Sequence, residues 1–506
     1  MNKSMQHLKT ISQPNAQNFT SLGYDFSGAD CNIQNICDDS RSVEQGDTFL
    51  CMPRTSSQSH DYIQYAIAAG ASSIIYIGND YVSSSIPCLN LANMDEAGVF
   101  LRRYFQTERV KTQCIGITGT DGKTSVAWML REALVKAYGA AWSSGTLGWV
   151  EDDENTHDLG NTTPSILTLH HLLSAADKRD IPALVMEISS HGIEQQRIAG
   201  LHFDVGVWTT LGHDHLQDHG GFEAYASLKN SFIYNTGEHG GTVVYNHDQE
   251  NIRNRLKSTD FQLHAYGHGL YQDEKQVDII TWEQELPGLL RLAYQGKEVV
   301  IDDIPMGRFH AENIAAVAQV LHSHYKLDLQ DIASLLCGIT APPGRMQPVN
   351  AGGWQVFIDY AHTAEALQAC LESIRPITHG RLFLVFGCGG ERDREKRPAM
   401  GRIASEFADV LWITSDNPRH ERPEIIASEI EEGITHPYPL EVHLQLDRKQ
   451  AIADAITKMN KDDTLVIAGK GHEAYIDVHG ERLPWSDMAC ARHLLHQKNT
   501  EYTSCI

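Results

Sequence analysis

The chain has 506 residues and a formal net charge of −24. That length calls for roughly two to four domains, and the acidity speaks against non-specific nucleic-acid binding and against anionic membrane surfaces. No apolar stretch is long enough to span a bilayer, the N-terminal MNKSMQHLKTISQPN lacks a signal peptide's apolar core, and the ten cysteines are scattered without a CxxC. A cytoplasmic protein with reduced thiols and no membrane insertion is expected.

Residues 1 to 107 hold short strand-like runs, TFLCM and SSIIYIG, with AIAAGA as a helical piece between them. A new pattern starts near Cys114. CIGIT is a short buried strand, GTDGKTS is a glycine-rich turn, and TSVAWMLREALVKAYGAA reads as a helix. ALVMEIS and DVGVWTTL are further buried strands. From residue 241 GTVVYN, VDIITWE, LLRLAYQ and KEVVIDDI suggest strands with some antiparallel pairing, and AENIAAVAQVLHSHY is a helix. PPGRMQPV, with two prolines and a glycine, is a domain joint. Beyond it QVFIDYA, AEALQACLESI, RLFLVFG, MGRIASEF, DVLWIT, EIIASEIEEGI, TLVIAG and DMACARHLL alternate strand with helix, the pattern of a parallel sheet covered on both faces. Three α/β domains are expected: residues 1–107, 108–346 and 347–506.

Strand, glycine turn, lysine, threonine, helix is the order of a phosphate cradle. Backbone N–H groups and a helix N-terminus face the anion, Lys123 supplies charge, and Thr124 can ligate Mg²⁺. The glycines are Gly116, Gly119 and Gly122, a GxxGxxGKT spacing; the strict P-loop would place a glycine at Ile117. The plain alternative is a glycine turn that holds nothing, which the flanking strand and helix oppose. Asp121 puts a carboxylate beside the expected phosphates.

A variant loop of this kind occurs in the Mur ligases, and the chain resembles that family along nearly all of its length. The resemblance rests on DSR at 39–41, TTP at 162–164, EISSHGIEQQR at 187–197, DHLQDH at 214–219 and SLKNSF around Lys229. It continues through GRFHAEN at 307–313, PGRM at 343–346, DYAHT at 359–363, GGERDREKRP at 389–398, DNPR at 416–419 and GKGHE at 469–473. Each motif alone is weak; their number, order and spacing together are specific. The resemblance implies a central P-loop parallel-sheet ATPase domain, a Rossmann-like C-terminal domain and an ATP-dependent amide-forming reaction of peptidoglycan precursor synthesis. Within the family it is nearest to members that add meso-diaminopimelate to a UDP-linked muramoyl dipeptide through an acyl phosphate. Both substrates are small molecules, and a monomer is expected.

Residue by residue, the resemblance implies ATP contacts at Gly116, Thr118, Gly119, Thr120, Asp121, Gly122, Lys123, Thr124 and Ser125, with Asn313, Arg345 and Asp359 near base and ribose and His362 near the phosphates. Thr124 and Glu187 would hold one Mg²⁺, and Glu187, His215 and Lys229 would serve a second. A free ammonium repels Mg²⁺, so Lys229 is expected as a carbamate; Lys123, Glu187, His215 and Lys229 form the catalytic group. Taken singly, a Glu or His after a strand is a polar end-group and a helix lysine is a surface residue. The UDP-linked substrate would meet Ser40, Arg41, Asn161, Thr162, Thr163, Ser189, Gln195 and Arg197. The added amino acid would meet Arg392, Asp416, Asn417, Pro418, Arg419, Gly469 and Glu473. A guanidinium at Arg419 suits the distal carboxylate of diaminopimelate, which lysine lacks, so lysine should be rejected. Read alone, DNPR is a proline turn capping the next helix.

The chain departs from the family pattern at Asp121 and Thr210, where Asn is usual, at Gln217, at His310, and in CMPRTSSQSHDY of the first domain. Two other readings follow: a divergent family member joining an amino acid to another carboxylate, and a catalytically silent nucleotide-binding homologue. Retention of Lys123, Glu187, His215 and Lys229 opposes the second.

Overall fold

The computed structural model describes residues 3–53, 56–78, 85–152, 154–212, 219–269, 278–286, 288–434 and 441–504. The chain forms two compact units, residues 1–281 with 315–335, and 282–314 with 336–506.

In the first unit, strands Ile36–Cys37, Thr48–Cys51, Ser73–Ile77 and Cys88–Leu91 pair in that order, all parallel. TFLC and SIIYI are buried at every position, as strands covered on both faces must be. Phe100, Leu50 and Ile75 share one core, and Phe49, Ile74 and Tyr76 another. The helix Met94–Phe105 closes this layer. Asn93 caps it by accepting from the Glu96 N–H, acids fill its first turn, and Arg102 and Arg103 fill its last. A side chain at Gly98 would collide with the backbone of Ala199 and Gly200, so this helix lies directly on the next segment of the same unit.

That segment holds six parallel strands in the order Trp142–Gly145, Ala183–Glu187, Gln113–Thr118, Val205–Trp208, Thr242–Asn246 and Leu263–His268. The strand that feeds the glycine loop is therefore central. The chain leaves it toward one side and returns past it to the other, which opens a crevice at the carboxyl ends of Gln113–Thr118 and its neighbours. GTVVYN belongs to this parallel sheet, and the antiparallel pairing expected after residue 241 is present between Leu289–Tyr294 and Lys297–Ile301 in the second unit.

The second unit carries five parallel strands in the order Gln355–Ile358, Thr464–Ile467, Leu382–Phe386, Val410–Ile413 and Glu441–Leu444, with Gln347–Pro348 antiparallel at one edge. The last strand to form in sequence inserts between the first two. Glu441–Leu444 has no counterpart among the runs read from sequence: as an edge strand it is half exposed, and EVHL has no apolar run to betray it. The antiparallel ribbon Tyr475–Val478 and Glu481–Pro484 follows, then the helix Asp487–Ser504.

Candidate functional site

The loop is built by its glycines. Gly119 has φ +153°, and a Cβ there would collide with the Thr209 hydroxyl; Gly122, at φ +85°, turns the chain into the helix Lys123–Tyr138. Gly116 differs. It lies within the strand, where a side chain would strike the Phe232 and Phe203 rings, so packing accounts for it. Lys123 Nζ folds back to donate to the carbonyls of Gly119 and Thr120, both at 2.7 Å.

Beside the loop stands Glu187, the last residue of its strand and 3% exposed. Thr124 Oγ1 donates to Glu187 Oε2 at 2.9 Å, the Thr146 N–H donates to Oε1 at 2.8 Å, and Thr146 Oγ1 donates to Oε2 at 3.1 Å. The sequence reading paired Thr124 with Glu187 but missed Thr146, whose only signal was its place after the strand Trp142–Gly145. Ser125 is buried behind Thr124, and Thr118 ends the loop strand.

Two of the unusual residues meet. Thr210 Oγ1 accepts from the Asp121 N–H at 2.9 Å, and its carbonyl accepts from the Thr120 N–H at 2.9 Å; the Asp121 residue itself is exposed. Thr120 Oγ1 in turn accepts from the Gly212 N–H and bonds the Tyr225 hydroxyl at 3.1 Å. Lys229 is 1% exposed, so it is no surface lysine. Its Nζ donates to the Gly119 carbonyl at 2.9 Å and lies 4.5 Å over the Tyr225 ring. His215 and Gln217 lie outside the described residues.

Thr163 links the substrate-side residues. Its hydroxyl donates to the Glu187 carbonyl at 2.8 Å and accepts from the Ser189 N–H, and its carbonyl accepts from Arg197 Nη1. Arg197 also grips Gln195 Oε1 with Nε and Nη2. Thr162 bonds Thr146 Oγ1 at 3.2 Å, and Asn161 is exposed. In the four-stranded layer Ser40 is buried, whereas Arg41 points outward and closes a fork on Asp39.

In the second unit Asp359 accepts the Met346 and Ala361 N–H groups at 2.7 Å each. Burial pushes its carboxyl above the usual range, against the pull of Arg345 and those two N–H groups. The Arg345 guanidinium lies 4.6 Å over the Tyr360 ring, and its carbonyl faces His310 Nε2 at 3.3 Å. Burial drives the His310 imidazole down to about 3, so it is neutral there. Asn313 is buried rather than solvent-facing, and His362 is exposed with Nδ1 3.0 Å from the Tyr360 carbonyl.

DNPR and GKGHE converge. Asn417 Nδ2 donates to Glu473 Oε2 at 2.8 Å. The fully buried Lys470, absent from the sequence-derived set, donates to Asn417 Oδ1 and Glu473 Oε2, each at 2.9 Å, and lies 3.6 Å from Asp416. A Cβ at Gly469, φ +106°, would crowd Asp416 Oδ2 at 2.6 Å. Pro418 is buried beside these groups. Arg419 holds a left-handed backbone, φ +51°, a strain of about 1–2 kcal/mol; its N–H on the Asp477 carbonyl and its carbonyl on the His479 N–H enforce it. Arg419 Nη1 donates to the Gly390 carbonyl, and Arg392 on that same loop is exposed. Arg397, 0% exposed, ties this loop down through the Gly389 carbonyl, Glu421 and Glu429.

A glycine loop between the central strand of a parallel sheet and a helix, with a buried carboxylate beside it, defines an α/β protein of the phosphate-binding class. The Mur ligase middle domain family matches residues 117–321, and the family described as Mur ligase, glutamate ligase domain matches residues 344–471. Proteins named UDP-N-acetylmuramoyl-L-alanyl-D-glutamate--2,6-diaminopimelate ligase from Ectopseudomonas mendocina and Gloeobacter violaceus are 35% and 34% identical, over 92% and 93% of this chain and 95% of each of theirs. A solved structure of a ligase of that name superposes with a TM-score of 0.68 at 26% identity, over 96% of this chain and 99% of its own. The MurF ligase of Thermotoga maritima, solved with ADP, shares the fold with a TM-score of 0.62 at 17% identity, over 92% of this chain and 98% of its own. The chain belongs to the Mur ligase family.

Proposed function

We propose that this chain is an ATP-dependent ligase that adds meso-2,6-diaminopimelate to UDP-N-acetylmuramoyl-L-alanyl-D-glutamate in peptidoglycan precursor synthesis. The observation that carries this is the 35% identity to a ligase of that name over 92% of the chain. An unactivated carboxylate offers no leaving group to an amine. One of its oxygens attacks the γ-phosphorus of ATP and ADP departs; the neutral amine then attacks the acyl carbon, a proton is lost and inorganic phosphate leaves. The N–H groups around Gly119 to Thr124 and the Lys123 ammonium take up charge on the phosphates. Arg197 and the TTP segment orient the UDP-linked acid, while Asn417, Arg419 and Glu473 orient the second amino-acid head of the incoming molecule.

Thr124 Oγ1 and the Glu187 carboxylate are hard oxygen donors on one buried point, which suits Mg²⁺. Among the described residues no set of three His, Cys, Asp or Glu side chains forms a metal cluster, so further ligands would come from phosphates, water, His215 or a carbamylated Lys229. Bound there, Mg²⁺ would neutralise phosphate charge. Carbamylation would turn the buried Lys229 ammonium into an oxygen ligand; Lys229→Ala should lose activity and regain part of it with a small carboxylic acid, and a fully active alanine variant would refute the modification. The same reading has a cytoplasmic monomer with joints near 107 and 346.

The test is phosphate release from ATP and Mg²⁺ with the UDP-linked dipeptide and diaminopimelate, together and singly. Release that needs both is expected, with ¹⁸O from the dipeptide carboxylate appearing in the phosphate. Release with lysine as readily as with diaminopimelate, or binding of ATP without release under any substrate, would overturn the reading.

A further inference from the structure

Lys470 lies between two glycines with left-handed backbones, Gly469 at φ +106° and Gly471 at φ +52°, where a Cβ would run into Asp416 and Tyr360 respectively. The Lys470 side chain is fully buried, and its ammonium is held by Asn417 Oδ1 and Glu473 Oε2. That ammonium and the Asp477 N–H, both donors, meet at Asn417 Oδ1, each at 2.9 Å. An amide in the opposite orientation would set its NH₂ against two donors, so only one orientation is stable. The Asn417 NH₂ consequently faces the other way and donates one N–H to Glu473 Oε2, and among the described residues its other N–H has no acceptor. Lys470 also occupies that same Glu473 oxygen, and among the described residues Oε1 accepts no hydrogen bond. Asp416, Glu473 and Lys470 together leave one net negative charge.

We propose that Lys470 is a positioning residue that sets amino-acid specificity: it locks the Asn417 amide with a donor edge toward the ligand's distal carboxylate and leaves one Glu473 oxygen for the distal ammonium. This deepens, and rests on, the diaminopimelate reading above. A distal head with both charges satisfies both groups, whereas lysine leaves the amide edge unpaired.

The experiment is steady-state kinetics with meso-diaminopimelate and L-lysine as rival amines, beside thermal unfolding. In Lys470→Met the KM for diaminopimelate should rise about tenfold or more with kcat within about threefold, and the kcat/KM preference over lysine should fall about tenfold. A merely structural role would lower both amines alike and leave that preference intact, which would overturn the proposal. The nearly isosteric Asn417→Asp variant leaves Lys470 in place and removes the donor edge. Its preference must fall too, and an unchanged preference there overturns the proposal however the lysine variant folds. A wild-type protein that does not turn over diaminopimelate would instead sink the reading beneath it.

Discussion

Gly119 shows how little room the phosphate loop has. Its φ of +153° and the Thr209 hydroxyl seated where a Cβ would go leave no place for alanine. Gly119→Ala should keep its fold but displace the loop, and a shift of the order of 1 Å at a reacting centre costs about a hundredfold in turnover. Phosphate release measured beside circular dichroism decides this; wild-type turnover in a folded variant would contradict the account. Gly139 is the control. It ends the loop helix at φ +84° with nothing within 4 Å of its Cβ position, so alanine there should cost about 1 kcal/mol of stability and leave turnover alone.

Among the elements, the closing helix Asp487–Ser504 is joined to the helix Arg448–Lys458 by a buried ion pair. Arg448 Nε and Nη2 donate to Asp487 Oδ1 and Oδ2 at 2.8 and 2.6 Å, the two residues are 3% and 0% exposed, and Trp485 Nε1 adds a bond at 2.7 Å. Arg448 Nη2 and Nη1 also reach the carbonyls of Ala468 and Ser415, next to Gly469 and Asp416. Asp487→Ala would leave a guanidinium buried without its carboxylate, at a cost of about 3–5 kcal/mol. The expected outcome is a lowered unfolding midpoint together with a raised KM for the amine. A variant as stable as wild type would show that water compensates the arginine.

Across the whole molecule, acid should act first through buried imidazoles. His170 and His171 sit on the helix Ile166–Lys178, where burial pulls them to about 4 and about 3. His171 Nδ1 holds Ser12 Oγ at 2.6 Å and so fastens the N-terminal helix Lys3–Ser12. Their folded pKa values lie below the unfolded value of 6.5, so the unfolded chain binds more protons. Their contribution is fully present above pH 6.5 and is lost as pH falls toward 4 and 3. Each should add about 1.4 kcal/mol of lost stability per pH unit in that window. Denaturant midpoints between pH 7 and 5 measure the slope. His171→Gln should remove about one proton's worth of it, and an unchanged slope would disprove the assignment.

The glycine loop was legible in the sequence because strand, turn and helix adjoin in the chain, and their signals are local: an apolar run, glycines at fixed spacing, then a 3.6-residue period. The alternation after residue 347 was legible for the same reason, except where the edge strand Glu441–Leu444 lacks an apolar run. The motifs marked Thr124, Glu187, Asn417 and Glu473 as residues of interest but could not say what each one touches. Thr146 reaches Glu187 across 41 positions, Lys470 reaches Asn417 across 53, and Ser12 reaches His171 across 159. Such contacts depend on strand order and register, which a period read along the chain does not contain. Burial likewise turned Lys229 and Asn313 from nominally surface residues into interior ones. Local patterning thus determined the elements and the loop; the order of strands in two sheets decided which distant side chains share a hydrogen bond.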